Sequence, residues 1–129
     1  MTSMDTVLLV EDHPGQRRLL HHTLRPRYRV LEAAAPESAL KLLRSERIDL
    51  VVLDMHLPPD TDGSSVGERL FASIREERLA RAVVIVTSDL DQELKTRMLR
   101  AGAAGYLSKP IDPAVLKPTV ERALDGDGR

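Results

Sequence analysis

Short apolar runs alternate with longer segments of helical periodicity along the whole of this chain. Five of these runs have the length and composition of β-strands, and they are residues 6–10, 28–33, 49–53, 82–86 and 105–108. The first, third and fourth are continuously apolar, as expected of parallel strands covered on both faces, whereas the second alternates and is predicted to be peripheral. Such alternation of strands and helices predicts a doubly wound α/β fold with a parallel sheet and right-handed crossovers.

Helix signals fill the intervals between these runs. Apolar residues recur at helical spacing in each interval, and in the fourth they begin at Leu90 and end at Ala101. The fourth helix is therefore predicted to start near Leu90 and to stop at Gly102. First-turn prolines, capping residues and a terminal glycine mark the helix ends, namely Pro14, Pro36, Ser64 or Ser65, Gly102 and Asp112-Pro113.

The composition limits the classes of function that this chain can have. A length of 129 residues suits a single domain over residues 1–129, and the absence of cysteine excludes disulfides and thiolate metal sites. The net charge of −1 does not suggest a polyanion-binding protein, so no nucleic-acid binding is expected. No apolar run approaches the ~20 residues that span a bilayer, and the amino terminus does not resemble a signal peptide. We therefore expect a cytoplasmic protein without a membrane segment.

Polar residues follow four of the five predicted strands at the point where each strand ends. Glu11 and Asp12 follow the first strand, Asp54 the third and Thr87 the fourth, and Lys109 comes shortly after the fifth. In doubly wound sheets, ligands bind beyond the carboxyl ends of the strands, where the strand order reverses. With the strand order 2-1-3-4-5 that point lies between the first and third strands. The acidic side chains are therefore expected to converge, with Thr87 and Lys109 reaching in from the neighbouring strands.

The chemistry of these side chains indicates a phosphoryl-transfer site. The three carboxylates repel one another and require a cation. Oxygen ligands with room left for water suit Mg²⁺ better than Zn²⁺. Lys109 adds a positive charge and Thr87 a hydroxyl donor beside an exposed carboxylate, and together with the metal they can neutralise a phosphoryl group during transfer. Asp54 is therefore predicted to be the nucleophile that accepts the phosphoryl group.

The same residues give the chain a resemblance to a known family. The stretches VLLVEDH, DLVVLDMHLPPDTDG, VVIVTSD and GAAGYLSKPID resemble the CheY-like receiver domain of two-component response regulators, and the resemblance covers residues 5–125. It implies a flavodoxin-like fold of five βα units, with Asp54 as the phosphoacceptor. It also implies that Asp12 binds Mg²⁺ directly, that Glu11 binds it through water, and that the backbone carbonyl of His56 is a further ligand.

The resemblance assigns further roles around the phosphoacceptor. It implies that Thr87 and Lys109 contact the phosphoryl group. It also implies that Tyr106 follows the position of Thr87 when the domain is activated, so that these two residues form the switch. The Lys109-Pro110 peptide bond is expected to be cis, which is energetically accessible before proline.

The loops after the third and fourth strands are predicted to control the lifetime of the phosphorylated state. In receiver domains, the residues two positions after the phosphoacceptor and after the switch threonine flank the path of the attacking water, and here they are His56 and Asp89. We expect Asp89 to orient this water, with pairing to a cation as the alternative. The first of these loops is one residue longer than is common in the family, because Gly63 stands nine positions after Asp54.

The resulting hypothesis is a signalling switch and not a metabolic enzyme. A sensor histidine kinase or a histidine phosphotransfer protein would phosphorylate Asp54, and the domain would catalyse its own phosphorylation from small donors and its own dephosphorylation. Output is expected through the face formed by the fourth helix, the fifth strand and the fifth helix. This face would contact an output domain, a protein target or a second copy of the chain. Whether the domain stands alone or belongs to a longer regulator stays open.

Other interpretations of the same residues are also open. One rival function is a small hydrolase that uses Asp54 as a turnover nucleophile, and another is a flavodoxin-like cofactor binder. The first needs a substrate-covering cap and the second a phosphate-cradling loop, and the sequence supplies neither. Taken singly, Asp12 could be a helix N-cap, Thr87 a helix cap, Tyr106 a packing residue and Lys109 a solvated lysine that contributes little to stability.

Overall fold

The computed structural model describes residues 4–57 and 66–126, which form five strands and five helices in strict alternation. The elements are β1 (Thr6–Val10), α1 (Pro14–Leu24), β2 (Arg29–Ala33), α2 (Pro36–Ser45), β3 (Leu50–Asp54), α3 (Val66–Glu76), β4 (Ala82–Thr87), α4 (Gln92–Arg100), β5 (Gly105–Ser108) and α5 (Pro113–Gly126). All neighbouring strands pair in parallel, in the order β2-β1-β3-β4-β5. The predicted fold class and strand order are confirmed.

Helices cover both faces of the sheet, and the core is divided accordingly into two clusters. Alternate residues of β1 belong to different clusters. Val7 and Leu9 pack with residues of α1 and α5, whereas Leu8 and Val10 pack with residues of α2, α3 and α4. The strands β1, β3 and β4 are buried along their whole length, and β2 is a partly exposed edge strand. Position in the sheet therefore explains why three runs are continuously apolar and the second alternates.

Two helices begin with a side-chain cap that the sequence pattern did not identify. His13 caps α1 by accepting a hydrogen bond from a first-turn amide at Nδ1 (3.2 Å), so the N-cap is not Asp12. Asp91 caps α4, and the predicted start at Leu90 is wrong. The Asp91 carboxylate accepts a hydrogen bond from the Glu93 amide at 2.9 Å, which fixes the start of the helix beyond Leu90. Leu90 lies outside the helix and is 77% exposed.

Two glycines allow backbone arrangements that a larger residue would prevent. Gly102 follows α4 with φ of 108°, a left-handed conformation that favours glycine, and the helix stops there as predicted. Gly67 lies in α3 against the backbone of Met55, where an added Cβ would come within 2.1 Å of the carbonyl oxygen. The absence of a side chain at Gly67 therefore lets α3 lie directly against the segment that follows β3.

Three further predictions concern a peptide bond, a membrane segment and the residues before α3. The Lys109-Pro110 peptide bond is cis, in agreement with the family resemblance. Within residues 4–57 and 66–126, no helix has the length and apolar character needed to cross a membrane. The two serines predicted to cap α3, Ser64 and Ser65, lie outside the described residues, and so does Gly63 of the longer loop.

Candidate functional site

The carboxyl ends of β1, β3, β4 and β5 meet at one edge of the sheet, and the predicted site residues lie there. Asp54 and Thr87 are the last residues of β3 and β4, so each strand ends one residue later than predicted. The reason is the ladder of hydrogen bonds, in which Asp54 pairs with Val86 and Thr87 pairs with Ser108. Because both residues belong to strands, the sheet fixes the positions of their backbones.

Glu11, Asp12 and Asp54 form an acidic cluster at this edge. One carboxylate oxygen from each residue lies within 4.8 Å of the others. Asp12 is exposed, whereas Glu11 and Asp54 are buried, with 1% and 4% of their surface exposed. The structure thus brings the three predicted acidic residues together. The expectation of an exposed carboxylate at Asp54 is wrong, because this residue ends a central strand between two others.

The ammonium group of Lys109 lies between two of these carboxylates. Its Nζ donates hydrogen bonds to Glu11 Oε1 at 2.8 Å and to Asp54 Oδ2 at 3.1 Å, and its side chain is only 17% exposed. The interpretation of Lys109 as a solvated lysine is therefore wrong. Burial disfavours its charged form, but the hydrogen bond to Glu11 and the charge of Asp54 outweigh this effect and raise the pKa of Lys109 above its ordinary value.

The remaining contacts of the acidic residues show which oxygens a cation could use. Asp54 Oδ1 accepts a hydrogen bond from the His56 amide at 3.0 Å, and Glu11 Oε2 accepts one from the His13 amide at 3.1 Å. Among the residues that the structure describes, the Asp12 carboxylate has no hydrogen-bond or ion-pair partner. Three carboxylates and one ammonium group leave a net charge of −2. An all-oxygen cluster with an unpaired carboxylate fits a hard divalent cation such as Mg²⁺.

Arg17 is a further residue of this site, and sequence analysis missed it. Its guanidinium group donates a hydrogen bond from Nη1 to the Glu11 carbonyl oxygen at 2.8 Å and from Nε to Glu32 Oε1 at 3.1 Å. Glu32 belongs to β2 and also contacts His21 Nδ1. Arg17 therefore connects the loop that carries the acidic pair to the edge strand. The sequence does not distinguish Arg17 from the adjacent Arg18, which is the same residue type but is exposed. No sequence signal therefore identified Arg17.

Thr87 and Tyr106 lie on adjacent strands beside this cluster. Thr87 is fully buried, its Oγ1 accepts a hydrogen bond from the Asp89 amide at 3.0 Å, and its carbonyl oxygen accepts one from the Lys109 amide at 2.8 Å. Because Asp91 caps α4, Thr87 is not a helix cap. Tyr106 packs against the core, but its hydroxyl is buried and has no hydrogen-bond partner within the described parts of the chain. Burial, followed by the charge of Asp89, raises the pKa of Tyr106.

His56 and Asp89 connect the segments that follow β3 and β4. His56 Nε2 lies 3.1 Å from Asp89 Oδ2, and Asp89 Oδ1 accepts a hydrogen bond from the Asp91 amide at 2.9 Å. The Asp91 amide and then the hydrogen bond to His56 hold the pKa of Asp89 below its usual range. Both carboxylate oxygens of Asp89 are therefore engaged. The expectation that Asp89 orients the attacking water stays a prediction, and in this structure the carboxylate contacts His56.

The fold and the acidic edge together are those of a two-component signalling domain. The chain belongs to the response regulator receiver domain family, which it matches over residues 7–121. The transcriptional regulatory protein AfsQ1 of Streptomyces coelicolor is 36% identical over 122 residues, which cover 94% of this chain and 52% of AfsQ1. The sensor histidine kinase RcsC of Salmonella typhimurium is 37% identical over 115 residues, which cover 88% of this chain and 12% of RcsC.

Solved structures agree with this assignment. A CheY-like response regulator receiver domain protein from Methanospirillum hungatei has a TM-score of 0.85 at 26% identity, with 98% of each chain covered. The chemotaxis response regulator CheY4 of Vibrio cholerae has a TM-score of 0.81 at 29% identity, covering 95% of this chain and 100% of CheY4. The chain is thus a receiver domain of two-component systems, a family of signalling switches. The hypotheses of a hydrolase and of a flavodoxin-like cofactor binder are set aside.

Proposed function

We propose that Asp54 is the phosphoacceptor of a two-component system or phosphorelay. The donor is the phosphohistidine of a sensor histidine kinase or of a histidine phosphotransfer protein. The observation that carries this proposal is the contact of the Lys109 ammonium group with the buried Asp54 carboxylate, next to Glu11 and Asp12. A nucleophile, a fixed positive charge and a set of cation ligands are the groups that phosphoryl transfer to a carboxylate requires.

In the transfer step, an Asp54 carboxylate oxygen forms a bond to phosphorus while the phosphorus–nitrogen bond of the donor histidine breaks. The electron pair of that bond leaves with the imidazole ring, which takes up a proton, and Asp54 becomes an acyl phosphate. Lys109 stays protonated because its pKa is raised, so its charge stabilises the phosphoryl oxygens. Attack by water later releases inorganic phosphate and restores the Asp54 carboxylate.

Mg²⁺ is the proposed cofactor, and the acidic cluster would hold it. We assign Asp12 as a direct ligand because its carboxylate has no other partner within residues 4–57 and 66–126. Glu11 is assigned a water-mediated contact, as the family resemblance implies, and its carboxylate stays held by the His13 amide and by Lys109. Asp54 and the His56 backbone carbonyl complete the protein ligands. When bound, Mg²⁺ neutralises negative charge on the phosphoryl oxygens.

We assign Thr87 and Tyr106 to the switch. The Thr87 hydroxyl oxygen accepts a hydrogen bond from the Asp89 amide, so its proton remains available for a phosphoryl oxygen on Asp54. Movement of Thr87 towards Asp54 vacates space that Tyr106 can enter. The buried Tyr106 hydroxyl, which lacks a partner among the described residues, favours a second position of the ring. The face formed by α4, β5 and α5 would then change most.

The partners follow from the family at a general level. Receiver domains act with histidine kinases, and we assign this chain as one receiver domain over residues 1–129 that meets its kinase in the cytoplasm. The α4-β5-α5 face is assigned the contact with an output domain, a protein target or a second copy of the chain. The domain also catalyses its own phosphorylation from small donors and its own dephosphorylation, because the proposed catalytic groups, apart from the donor and the attacking water, are residues of this chain and Mg²⁺.

The test is phosphorylation by acetyl phosphate in Mg²⁺ buffer, followed by intact-mass spectrometry. The parent chain should gain one phosphoryl group and the Asp54→Asn variant none, because an amide does not act as the nucleophile. Asp125→Asn, which changes an exposed aspartate of α5, is the matched control and should label like the parent. Omission of Mg²⁺ should also prevent labelling. Labelling of Asp54→Asn at the parental level would refute the assignment.

A further inference from the structure

A basic cleft lies at the amino-terminal ends of the strands, whereas the acidic cluster lies at their carboxyl-terminal ends. It has a volume of about 500 Å³ and is formed by the carboxyl end of α3 and by the segments that lead into β3 and β4. Four arginines line it together with one aspartate and the apolar residues Ile48, Leu79 and Ala80. We refer to it as the arginine cleft, after Arg47, Arg75, Arg78 and Arg81.

The charges in the arginine cleft are only partly compensated. Four arginines and Asp49 give its lining a net charge of +3, that is, +4 from the guanidinium groups and −1 from the carboxylate. Asp49 is buried and its Oδ2 accepts a hydrogen bond from the Thr6 amide at 2.8 Å. Its Oδ1 lies 3.7 Å from Arg81 Nε and 3.8 Å from Arg47 Nε. Asp49 is therefore shared between two arginines and the backbone, and Arg81 also pairs with Asp5, outside the cleft lining, at 3.4 Å.

Two of the four arginines have no compensating partner. Within the described residues, the guanidinium groups of Arg75 and Arg78 make no hydrogen bond and no ion pair. By contrast, Arg44 lies on the neighbouring helix α2 and is paired with Glu77 at 2.8 Å. Unpaired positive charges around one concave surface repel each other and favour a bound anion.

The backbone conformation of Arg78 is a second indication that its side chain has a function in the cleft. Arg78 has φ of 54°, in the left-handed region, at the position after α3 where glycine is usual. The turn is closed by hydrogen bonds from the Leu79 amide to the Ile74 carbonyl oxygen at 3.0 Å and from the Arg78 amide to the Arg75 carbonyl oxygen at 3.3 Å. Glycine would form this turn with less strain. An arginine in this conformation therefore places a cation in the cleft at a cost in stability.

We propose that the arginine cleft binds a small molecule that carries several phosphate groups. A guanidinium group can donate two parallel hydrogen bonds to two oxygens of one phosphate group. Several arginines around one cleft can therefore bind several linked phosphate groups. The volume lies in the range of about 300–1,000 Å³ that is usual for small-molecule sites. Leu79 and Ala80, which are partly exposed, offer apolar surface for an organic group attached to the phosphates.

The arginine cleft is independent of the proposed phosphoacceptor site. It lies at the amino ends of β3 and β4, whereas Asp54 ends β3 at the other edge. A strand of this length separates the two edges by roughly 17 Å. A ligand in the cleft therefore does not occupy the site of phosphoryl transfer, and the two proposals can fail separately.

The experiment is a titration of the ¹⁵N-labelled full chain, followed by amide signals, in buffer without Mg²⁺. The probes are sodium tripolyphosphate, ATP and sodium sulfate at matched ionic strength. Tripolyphosphate and ATP should shift the amide signals of residues 47–49 and 75–81 in a saturable manner, and sulfate should bind much more weakly. Similar affinity for both phosphate probes would show that the phosphate chain is recognised, and tighter binding of ATP would show that the nucleoside also contributes.

Variants separate a specific site from general attraction of anions. Arg75→Ala and Arg78→Gly should each weaken binding of tripolyphosphate by about tenfold, the loss expected for one charge-assisted contact. Arg122→Ala, which changes an exposed arginine of α5, is the matched control and should bind like the parent. Arg78→Gly should also raise the melting temperature in the absence of ligand, because glycine adopts the turn more easily. The Asp54→Asn variant should bind like the parent, since it affects only the other proposal.

Three outcomes would overturn the proposal. The first is an equal response to sulfate and tripolyphosphate, and the second is equal weakening in Arg122→Ala. Both would indicate attraction of anions by the whole surface. The third is the absence of saturable shifts in residues 47–49 and 75–81 while an acidic peptide produces them, which would assign the cleft to a protein partner instead.

Discussion

At the acidic edge of the sheet, Lys109 contributes to stability as well as to chemistry. Its ammonium group is the partner of two buried carboxylates, Glu11 and Asp54. Lys109→Met retains much of the side-chain length but removes the charge and the hydrogen bonds. We expect this variant to lose about 2 kcal/mol of the free energy of unfolding at neutral pH without Mg²⁺, because both carboxylates lose their partner. Urea denaturation measures this loss, and Lys95→Met, which changes a partly exposed lysine of α4, is the control.

The pH dependence of this effect has a defined sign. The pKa of Lys109 in the folded chain is raised above 10.5, so its contribution is complete below that pH and is lost as the pH rises through the raised value. Tyr28 and Tyr106 also have raised pKa values, chiefly because of burial, and destabilise the fold in the same alkaline range. The difference between the parent and Lys109→Met should therefore shrink above pH 10.5. A difference that stays constant would contradict the role of this charge.

The pair of His56 and Asp89 is the residue-scale feature that bears on the lifetime of the phosphorylated state. Asp89→Ala should lengthen the half-life after removal of the phosphodonor if Asp89 orients the attacking water. A tenfold change corresponds to about 1.4 kcal/mol in the barrier. Loss of the phosphoryl group in Mg²⁺ buffer, followed by mass spectrometry, measures the half-life. An unchanged or shorter half-life in Asp89→Ala would contradict this role, and a shorter one would indicate that the contact with His56 shields the phosphoryl group instead.

At the scale of elements, the packing of α3 against the end of β3 depends on Gly67. An added Cβ would lie 2.1 Å from the carbonyl oxygen of Met55, and this backbone atom cannot turn away as a side chain can. Gly67→Ala should therefore cost about 3 kcal/mol of the free energy of unfolding, measured by urea denaturation. Gly126→Ala is the control, because nothing lies within 4 Å of its added Cβ. Equal stabilities of the two variants would show that α3 can move without penalty.

At the scale of the whole molecule, the proposed switch connects the acidic edge to the α4-β5-α5 face. Beryllofluoride with Mg²⁺, which imitates the phosphoryl group, should shift amide signals in residues 54–63 and also in residues 87–110. Thr87→Val keeps the shape of the buried side chain but removes its hydroxyl. This variant should keep the shifts near residues 54–63 and lose those around Tyr106. Shifts confined to residues 54–63 in the parent chain would mean that Thr87 relays no change.

The local pattern of the sequence was sufficient to predict the fold and the residue types at the carboxyl ends of the strands. The hydrophobic periodicity and the composition of a short segment depend on how far that strand is buried. The strands β1, β3 and β4 could therefore be recognised as central and β2 as peripheral. The parallel arrangement then implies that the residues after the strands meet at one edge, as Glu11, Asp12 and Asp54 do. The predicted start of α4 was wrong because the Asp91 side chain accepts a hydrogen bond from a first-turn amide and so caps the helix. The spacing of apolar residues does not reveal such a cap.

The partners of individual side chains depended on tertiary packing. Lys109 pairs with Glu11 across a sequence separation of 98 residues, and Arg17 reaches Glu32 on the edge strand across 15 residues. The arginine cleft likewise combines residues that precede two strands with the end of α3. Hydrophobic periodicity records which face of an element is buried, and this information is local. Contacts between polar side chains require distances of about 3 Å between distant segments, and such distances are fixed only when the helices have packed against the sheet.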